Sequence, residues 1–191
     1  KKNTVDVQDA YTNNYTDYLD TIPHLFYYNA FLILSNGTEA KVGTLGSKYE
    51  FFHEWKRLSE QEQGSVALET MLRGICKKEN FLDLLENFVL FDHSGGHTAK
   101  ILARNHQYLG VNEAIKAYEA RKLNNGKLGV FWHTQGSGKS YSMVFLAQKI
   151  RRKFSGSPTI VILTDRDELN TQISDTFENC GILGKAKASQ F

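Results

Sequence analysis

The sequence has 191 residues, of which 41% are hydrophobic and 12% are aromatic. This composition supports a buried core and excludes a wholly disordered chain, and the length fits one ordinary domain or pieces of two. The formal net charge of +2 neither requires nor excludes a nucleic-acid partner, because a local basic strip can bind a phosphate backbone whatever the total charge. The densest basic strip, residues 149–153, is interpreted as the solvated end of a helix.

The cysteines and histidines of the sequence indicate the cellular environment and the kinds of site that the chain can form. Cys76 and Cys180 are too few for a disulfide framework, and they indicate a reducing, intracellular environment, so we predict a cytoplasmic location. Cys76 lies in an apolar helical pattern and is expected in the core. No pair of cysteines accompanies any of the six histidines, and no zinc site is predicted. No apolar run approaches the ~20 residues that span a bilayer, so no membrane partner is expected. The polar ends, without an initial Met, suggest a segment of a longer protein.

The first third combines a helix with a hairpin. Residues 6–20 are predicted as a helix that Pro23 stops, because the residue before a proline avoids helical geometry. Residues 31–34 are predicted as a strand. Asn36 and Gly37 both tolerate positive φ and form a strong hairpin signal, so residues 40–45 are predicted as the partner strand.

Short helices follow the hairpin. Hydrophobic periodicity predicts helices over 51–58, 66–76 and 80–87. The polar, Gly-rich loop 92–97 is the best candidate for a domain boundary. A further helix is predicted over 107–120.

The pattern then changes to alternating strands and helices. Residues 129–132 are predicted as a buried strand and 138–153 as a helix. Residues 159–163 are predicted as a second strand and 168–178 as a second helix. This order is typical of a parallel α/β sheet, so the fold class is predicted to be α/β.

A phosphate-binding loop is predicted between the first of these strands and its helix. Gly136 and Gly138 allow positive φ and a close approach to phosphate oxygens, and the loop amides lie at a helix N-terminus, which favours an anion. Lys139 is placed to reach the β- and γ-phosphates of ATP, and the Ser140 hydroxyl to ligate Mg²⁺. His133 stands where the usual motif has glycine, and the alternative is a fortuitous Gly-Ser-rich turn. The predicted nucleotide-binding residues are Thr134, Gln135, Gly136, Ser137, Gly138, Lys139 and Ser140.

The sequence "HTQGSGKS", after Phe131 and Trp132, carries a family resemblance. From Lys100 onward the chain resembles the first motor domain of superfamily 2 helicases, and most closely the motor (R) subunit of type I restriction endonucleases. The resemblance implies the start of a RecA-like parallel sheet with a P-loop. It also implies that the acidic pair and arginine fingers needed for ATP hydrolysis lie outside this sequence.

Two flanking stretches extend the resemblance. Residues 103–108 are similar to the glutamine motif, which implies that Gln107, with Arg104 beside it, reads the adenine edge; a side-chain amide can both donate and accept hydrogen bonds. The alternative is an exposed helix residue. Residues 161–172 are similar to motif Ia, which implies that Asp165 and Arg166 lie near the DNA track. The alternative is that this pair caps the next helix.

The front third resembles the end of the nuclease domain of the same subunits, through residues 22–31 and 34–37 and a tryptophan at Trp55. The family's nuclease centre uses Asp, Glu-x-Lys and Gln-x-x-x-Tyr. The resemblance implies that Lys1 or Lys2 is the lysine of the second element, with the metal-holding carboxylates upstream; the alternative is a frayed terminal lysine. Tyr18 is the candidate tyrosine, although Asn14 replaces the glutamine. A register using Asn13 lacks the tyrosine, and a packed helix aromatic is the alternative for Tyr18.

The resemblance assigns residues 1–92 to the C-terminal part of a nuclease domain with a helical connector (β-hairpin plus helices). Residues 97–191 become the N-terminal part of the first RecA-like motor domain. The implied function is that of an ATP-dependent DNA translocase and type I site-specific deoxyribonuclease. The implied partners are double-stranded DNA and the modification and specificity subunits, and the fragment alone is expected to be inactive. A plain superfamily 2 DNA helicase and a non-catalytic P-loop nucleotide-binding module are the alternatives.

Overall fold

A computed structural model describes residues 5–182 of the chain. The chain divides into two units. Among the described residues, the first contains 5–86 together with 104–106, and the second contains 87–103 and 107–182. Each unit is described by itself.

The first unit opens on a helical stretch that confirms the prediction over 6–20. It consists of α1 (Val7–Ala10), a π-helical segment (Tyr11–Tyr15) and α2 (Thr16–Thr21). Asp6 caps α1, since its Oδ1 accepts a hydrogen bond of 2.7 Å from the backbone N–H of Gln8. The stretch ends before Pro23, because the residue that precedes a proline avoids helical geometry. Pro23 then begins a 3₁₀ turn (Pro23–Phe26).

The predicted hairpin is confirmed. Strands β1 (Leu32–Ser35) and β2 (Ala40–Gly43) pair antiparallel, with Ile33 opposite Val42. The turn is closed by Asn36, whose Oδ1 accepts hydrogen bonds from the backbone N–H groups of Thr38 and Glu39. The side chain of Asn36 therefore fixes the turn that the sequence predicts.

The helix predicted over 51–58 is wrong. A 3₁₀ turn (Tyr49–Phe51) is followed by a bridge in which the backbone N–H and C=O of His53 bond to Val42. Phe52 and Trp55 are buried, at 3% and 1% exposure, and their spacing of three residues imitates a helical face. Pairing with β2 takes up the backbone groups that a helix would use.

Two helices follow, α3 (Leu68–Ile75) and α4 (Lys78–Asn87), which confirms the predictions over 66–76 and 80–87. Gly74 faces the indole of Trp55 so closely that a Cβ there would lie 2.2 Å from Nε1. Cys76, predicted in the core, is exposed. It forms the C-cap of α3, where the chain leaves the helix and its side chain no longer shares the buried face.

The second unit contains the other predicted helices. They are α5 (Asn105–Glu119, of which 107–119 belong to this unit), α6 (Lys139–Lys153) and α7 (Asp167–Asn179), and they confirm the predictions over 107–120, 138–153 and 168–178. Strands β3 (Val89–Asp92) and β4 (Ala99–Leu102) form an antiparallel hairpin. The loop expected at a domain boundary, 92–97, is the turn of this hairpin and lies inside the second unit.

Aromatic packing builds the core of the second unit. The ring of Phe88 lies 4.8 Å from that of Tyr108 on α5 and 5.6 Å from that of Phe145 on α6. Lys149, interpreted as part of a solvated strip, is only 5% exposed. Its Nζ donates to Asn112 Oδ1 at 2.6 Å and lies 4.8 Å from the Phe88 ring centroid, because residue 149 is one turn after Phe145 on the same buried face.

The two strands predicted over 129–132 and 159–163 do not form in the described residues, where both stretches are irregular. Their apolar side chains point to solvent, with Val130 and Trp132 at 88% and 86% exposure and Leu163 at 91%. A strand needs a neighbour that completes its hydrogen bonds, and no strand of the described residues lies beside either stretch. The described sheets are the two antiparallel hairpins, within a mixed α/β structure.

Between residues 5 and 182 no helix is both long enough and apolar enough to cross a membrane.

Candidate functional site

The loop before α6 has the backbone geometry of an anion site. Gly136 and Gly138 have φ of +75° and +81°, values that L side chains rarely adopt. Gly138 is the N-cap of α6, and no side chain caps the helix there. The first amides of α6 are therefore left without a side-chain acceptor, at the end of the helix where the dipole favours negative charge. A Cβ at Gly136 would meet no atom within 4 Å, so the loop is open on that side.

Lys139 holds the loop closed through its own side chain. Its Nζ donates to the backbone carbonyl of His133 at 3.0 Å and to that of Thr134 at 2.9 Å. An ammonium group has three N–H donors, and the described residues supply acceptors for two of them. His133, which stands where the usual motif has glycine, contributes its carbonyl to this contact. The substitution is thus compatible with the loop geometry.

Helix α5 supports both ends of the loop. The buried side chain of Gln107 donates from Nε2 to the carbonyl of Gly138 at 2.9 Å. Gly110 lies under the ring of Phe131, close enough that a Cβ would lie 2.5 Å from Cε2. The rings of Phe131 and His133 meet edge to face at 4.3 Å. The structure therefore brings Gln107 together with the loop, as a contact to its backbone.

The remaining loop residues differ in exposure. Thr134 and Gln135 are exposed, whereas Ser137 and Ser140 are partly buried. The turn is closed by a hydrogen bond of 3.3 Å from Ser137 N to Thr134 O. Ser140 is the second residue of α6, directly after Lys139. All seven predicted residues thus lie on one continuous turn and the start of one helix.

Two of the predicted nuclease residues, Asn14 and Tyr18, are described, and both lie in the first unit. Tyr18 is on α2 and is 46% exposed, so it is not the packed aromatic of this helix. The packed aromatic residue of this helical stretch is Tyr15, at the end of the π-helical segment. Tyr15 is 5% exposed, and its Oη accepts a hydrogen bond from Gly46 N. Asn14 Oδ1 is buried without a hydrogen-bond partner among the described residues. Lys1 and Lys2 lie outside the described residues, and their predicted role stays a prediction.

Three other predicted residues are at the surface. Arg104 is exposed, directly before α5, and belongs to the first unit. Asp165 and Arg166 form an exposed ion pair of 3.6 Å. Arg166 occupies the N-cap position of α7, but no side chain makes a capping hydrogen bond there, so the alternative that the side chains of this pair cap the helix is wrong. The predicted DNA role of this pair stays a prediction.

The sequence did not predict a partly buried contact next to the loop. Tyr141 Oη donates to Asp92 Oδ2 at 2.5 Å. Burial alone would raise the pKa of Asp92, but the hydrogen bonds from Tyr141 and Ser94 outweigh it and hold the pKa below its usual value. Burial, and then the Asp92 carboxylate, raise the pKa of Tyr141, and the same two causes raise that of the Cys180 thiol to about 11. The sequence feature that pointed toward this contact was Tyr141, which directly follows Lys139 and Ser140.

Known proteins resemble the chain over nearly all of its length. Residues 106–190 match the SWI2/SNF2 ATPase family. The type I restriction enzyme HindI endonuclease subunit of Haemophilus influenzae is 38% identical over 187 residues, which cover 93% of this chain and 18% of the relative. The putative type I restriction enzyme MjaIXP endonuclease subunit of Methanocaldococcus jannaschii is 29% identical over 93% of this chain and 19% of the relative.

The chain thus spans about a fifth of the length of the curated relatives it matches. A third relative, the putative MjaVIIIP endonuclease subunit of the same archaeon, is 30% identical over 85% of this chain and 16% of its own length. These relatives agree with the resemblance that the loop and its flanks carry, which is thereby confirmed. The homologues of this chain are endonuclease subunits of type I restriction enzymes, and its residues 106–190 are SWI2/SNF2 ATPase-like.

Proposed function

We propose that this chain binds ATP with Mg²⁺ at residues 134–140, as the nucleotide site of a DNA-translocating motor in a type I restriction enzyme endonuclease subunit. The observation that carries the proposal is the uncapped N-terminus of α6, which follows two glycines with positive φ and begins with Lys139. Backbone amides, a helix dipole and a lysine in this arrangement form a site for a polyphosphate.

The residues present fit the nucleotide and its metal. The amides from Gly136 to Ser140 would bind phosphate oxygens, and the third N–H of Lys139 would donate to the β- and γ-phosphates. The Ser140 hydroxyl oxygen is the ligand this chain offers to Mg²⁺, which neutralises charge on the phosphates when bound. The openness around Gly136 leaves room for the phosphate chain.

Gln107 is proposed to read the adenine base while it supports the loop. Its Nε2 donates to the carbonyl of Gly138 at 2.9 Å, and the similarity of residues 103–108 to the glutamine motif supports a role toward the base. The same side chain could therefore connect base recognition to the position of Gly138, the N-cap of α6. Arg104, three residues earlier, is proposed to assist at the same nucleotide.

Replacing Gln107 with alanine is expected to weaken ATP binding and to reduce the preference for ATP over GTP. Each hydrogen bond lost to the base is worth about 0.5–1.5 kcal/mol, so the ATP/GTP affinity ratio should fall by a factor of about 3–10. Competition of both nucleotides against a fluorescent ATP analogue measures the ratio. If both affinities fall by the same factor, Gln107 supports only the loop and does not contact adenine.

The motor assignment extends the local site to the whole protein. Residues 129–132 and 159–163 are proposed as central strands of a parallel RecA-like sheet, completed by further strands of the same polypeptide. Their exposed apolar side chains support this, because a central parallel strand buries both of its faces. Asp165 and Arg166 would then follow the second strand and face duplex DNA. Cleavage would use the nuclease centre to which Tyr18 and Lys1 are assigned, within a complex containing modification and specificity subunits.

The proposed function is tested by ATP turnover of the full-length gene product. We expect hydrolysis that double-stranded DNA stimulates, since a translocase couples turnover to movement on its track. The control is the same protein without DNA and with single-stranded DNA. ATP binding without turnover under every condition would contradict the motor assignment and would favour a nucleotide-binding module. The absence of ATP binding would contradict the site itself.

A further inference from the structure

Asp92 and Tyr141 form a partly buried contact beside the phosphate loop. Asp92, at the end of β3, is 5% exposed. Its Oδ2 accepts the 2.5 Å hydrogen bond from Tyr141 Oη, and its Oδ1 accepts one of 2.8 Å from the backbone N–H of Ser94. Both carboxylate oxygens are thereby engaged. A carboxylate held by two donors in a buried place gives a rigid point of attachment.

This attachment lies in the first turn of α6. Tyr141 is the third residue of the helix, directly after Lys139 and Ser140. The N-cap, Gly138, has no side chain with which to fix the helix end, so the position of the first turn depends on contacts made by other residues. On one side Gln107 holds the carbonyl of Gly138, and beyond the loop Tyr141 is held by Asp92.

The C-terminal end of α7 contacts the turn that follows Asp92. The backbone N–H of His93, next to Asp92, donates to the carbonyl of Asn179 at 3.2 Å. The half-buried thiol of Cys180 is close enough to Asp92 for the carboxylate to raise its pKa. The turn of the β3–β4 hairpin therefore connects the start of α6 with the end of α7, within the second unit.

We propose that Asp92 and Tyr141 are positioning residues of the nucleotide site, holding the first turn of α6 so that Lys139, Ser140 and the loop amides face the phosphates. The proposal rests on the proposed function, since it assigns a role toward the same nucleotide. The pair touches no phosphate itself. A helix released at Tyr141 can rotate and shift by fractions of an ångström, which lowers the fraction of molecules with a competent loop and raises the apparent Kd.

The raised pKa of Tyr141 and the lowered pKa of Asp92 are consistent with this role. They keep the phenol protonated and the carboxylate charged near neutral pH, so the contact persists. The carboxylate also lies near the N-terminal end of α6, where the helix dipole favours negative charge. Both effects stabilise the helix end that carries Lys139.

The test compares two Tyr→Phe variants of the full-length gene product. Tyr141→Phe removes the hydroxyl that donates to Asp92. Tyr118→Phe removes a hydroxyl near the C-terminal end of α5, from a tyrosine whose ring packs on that of Phe154. Kd for a fluorescent ATP analogue is measured well below the melting temperature. We expect Tyr141→Phe to raise Kd by about five- to tenfold, and Tyr118→Phe to leave it within about twofold of the unmodified protein. Asp92→Asn, which retains one acceptor oxygen, should fall between Tyr141→Phe and the unmodified protein.

The outcomes separate this inference from the proposed function. If Lys139→Ala loses ATP binding while Tyr141→Phe binds like the unmodified protein, the inference is overturned and the nucleotide site stands. A lowered melting temperature with unchanged Kd in Tyr141→Phe would likewise overturn it, because the contact would then serve only stability. Equal weakening in Tyr118→Phe would also count against it. Normal ATP binding by Lys139→Ala would instead overturn the proposed function.

Discussion

Replacing Lys139 with alanine in the full-length gene product is expected to lower ATP turnover by a factor of about 10²–10³ or more. An effect of this size is typical when an enzyme loses one preorganised hydrogen-bond donor that stabilises charge in the transition state. Lys139 is the cation whose Nζ already lies over the loop, on the carbonyls of His133 and Thr134. Two hydrogen bonds disappear with it, so we expect the free energy of unfolding to fall by about 1–2 kcal/mol. The helix and the glycine turn remain.

The matched control is Lys153→Ala, at the other end of the same helix. Lys153 forms an ion pair of 2.9 Å with Glu119, and both side chains are nearly half exposed. Losing an exposed ion pair changes stability by about 0–1 kcal/mol, and turnover should not change. Phosphate release by Lys139→Ala at the rate of the unmodified protein would remove this loop from the mechanism.

Gly138→Ala is expected to have the second-largest effect. An alanine at φ +81° costs about 1–2 kcal/mol, and its Cβ would lie 2.8 Å from Gln107 Nε2. The amide of Gln107 must then move away and lose its bond to the Gly138 carbonyl. We expect the free energy of unfolding to fall by about 2–3 kcal/mol in total, and ATP affinity by about tenfold or more. Chemical denaturation and nucleotide titration measure the two effects.

Gly126→Ala separates backbone strain from the contact with Gln107. Gly126 has φ +80°, but a Cβ there would meet no atom within 4 Å. It should therefore show the strain alone, with unchanged ATP affinity. In the double variant Gln107→Ala/Gly138→Ala, the losses of stability should be less than additive by about 0.5–1 kcal/mol, because the atom that the new Cβ meets is gone. Strict additivity would mean that the two positions do not interact.

The sequence predicted the local elements well because their signals are local. Periodicity located α3 and α4, and Asn36-Gly37 located the first hairpin. The same periodicity was misleading where Phe52 and Trp55 are three residues apart but belong to a non-helical segment. There the backbone of His53 pairs with Val42, a partner that the local pattern does not contain.

The predicted strands depended on partners that no local pattern supplies. Val130, Trp132 and Leu163 have the apolar character of buried strands, and in the described residues they are exposed. Composition indicates that a side chain is suited to burial, but burial itself requires a neighbouring strand. The sequence therefore predicted the chemical character of these stretches and not their pairing.

The candidate site was predicted only in part, for the same reason. The Gly-Ser-Gly-Lys-Ser run gave the loop, since its glycines and its lysine are consecutive. The supporting contacts join residues far apart in sequence: Gln107 and Gly138 are 31 positions apart, and Asp92 and Tyr141 are 49 apart. Gln107 was predicted through the resemblance of residues 103–108 to the glutamine motif. Its contact with the loop backbone was not predicted. Asp92 gave no local signal at all.

The most direct test of the nucleotide site is a titration of the isotopically labelled chain with ATP and Mg²⁺, followed by the NMR signals of its backbone amides. We expect the amides of Gly136, Gly138 and Lys139 to shift together and to saturate, since these N–H groups would bind the phosphates. The amide of Gly37, in the first hairpin, should not respond. If ATP reaches concentrations that saturate turnover of the full-length protein and the loop amides do not shift, the phosphates bind elsewhere and the account of this loop is wrong.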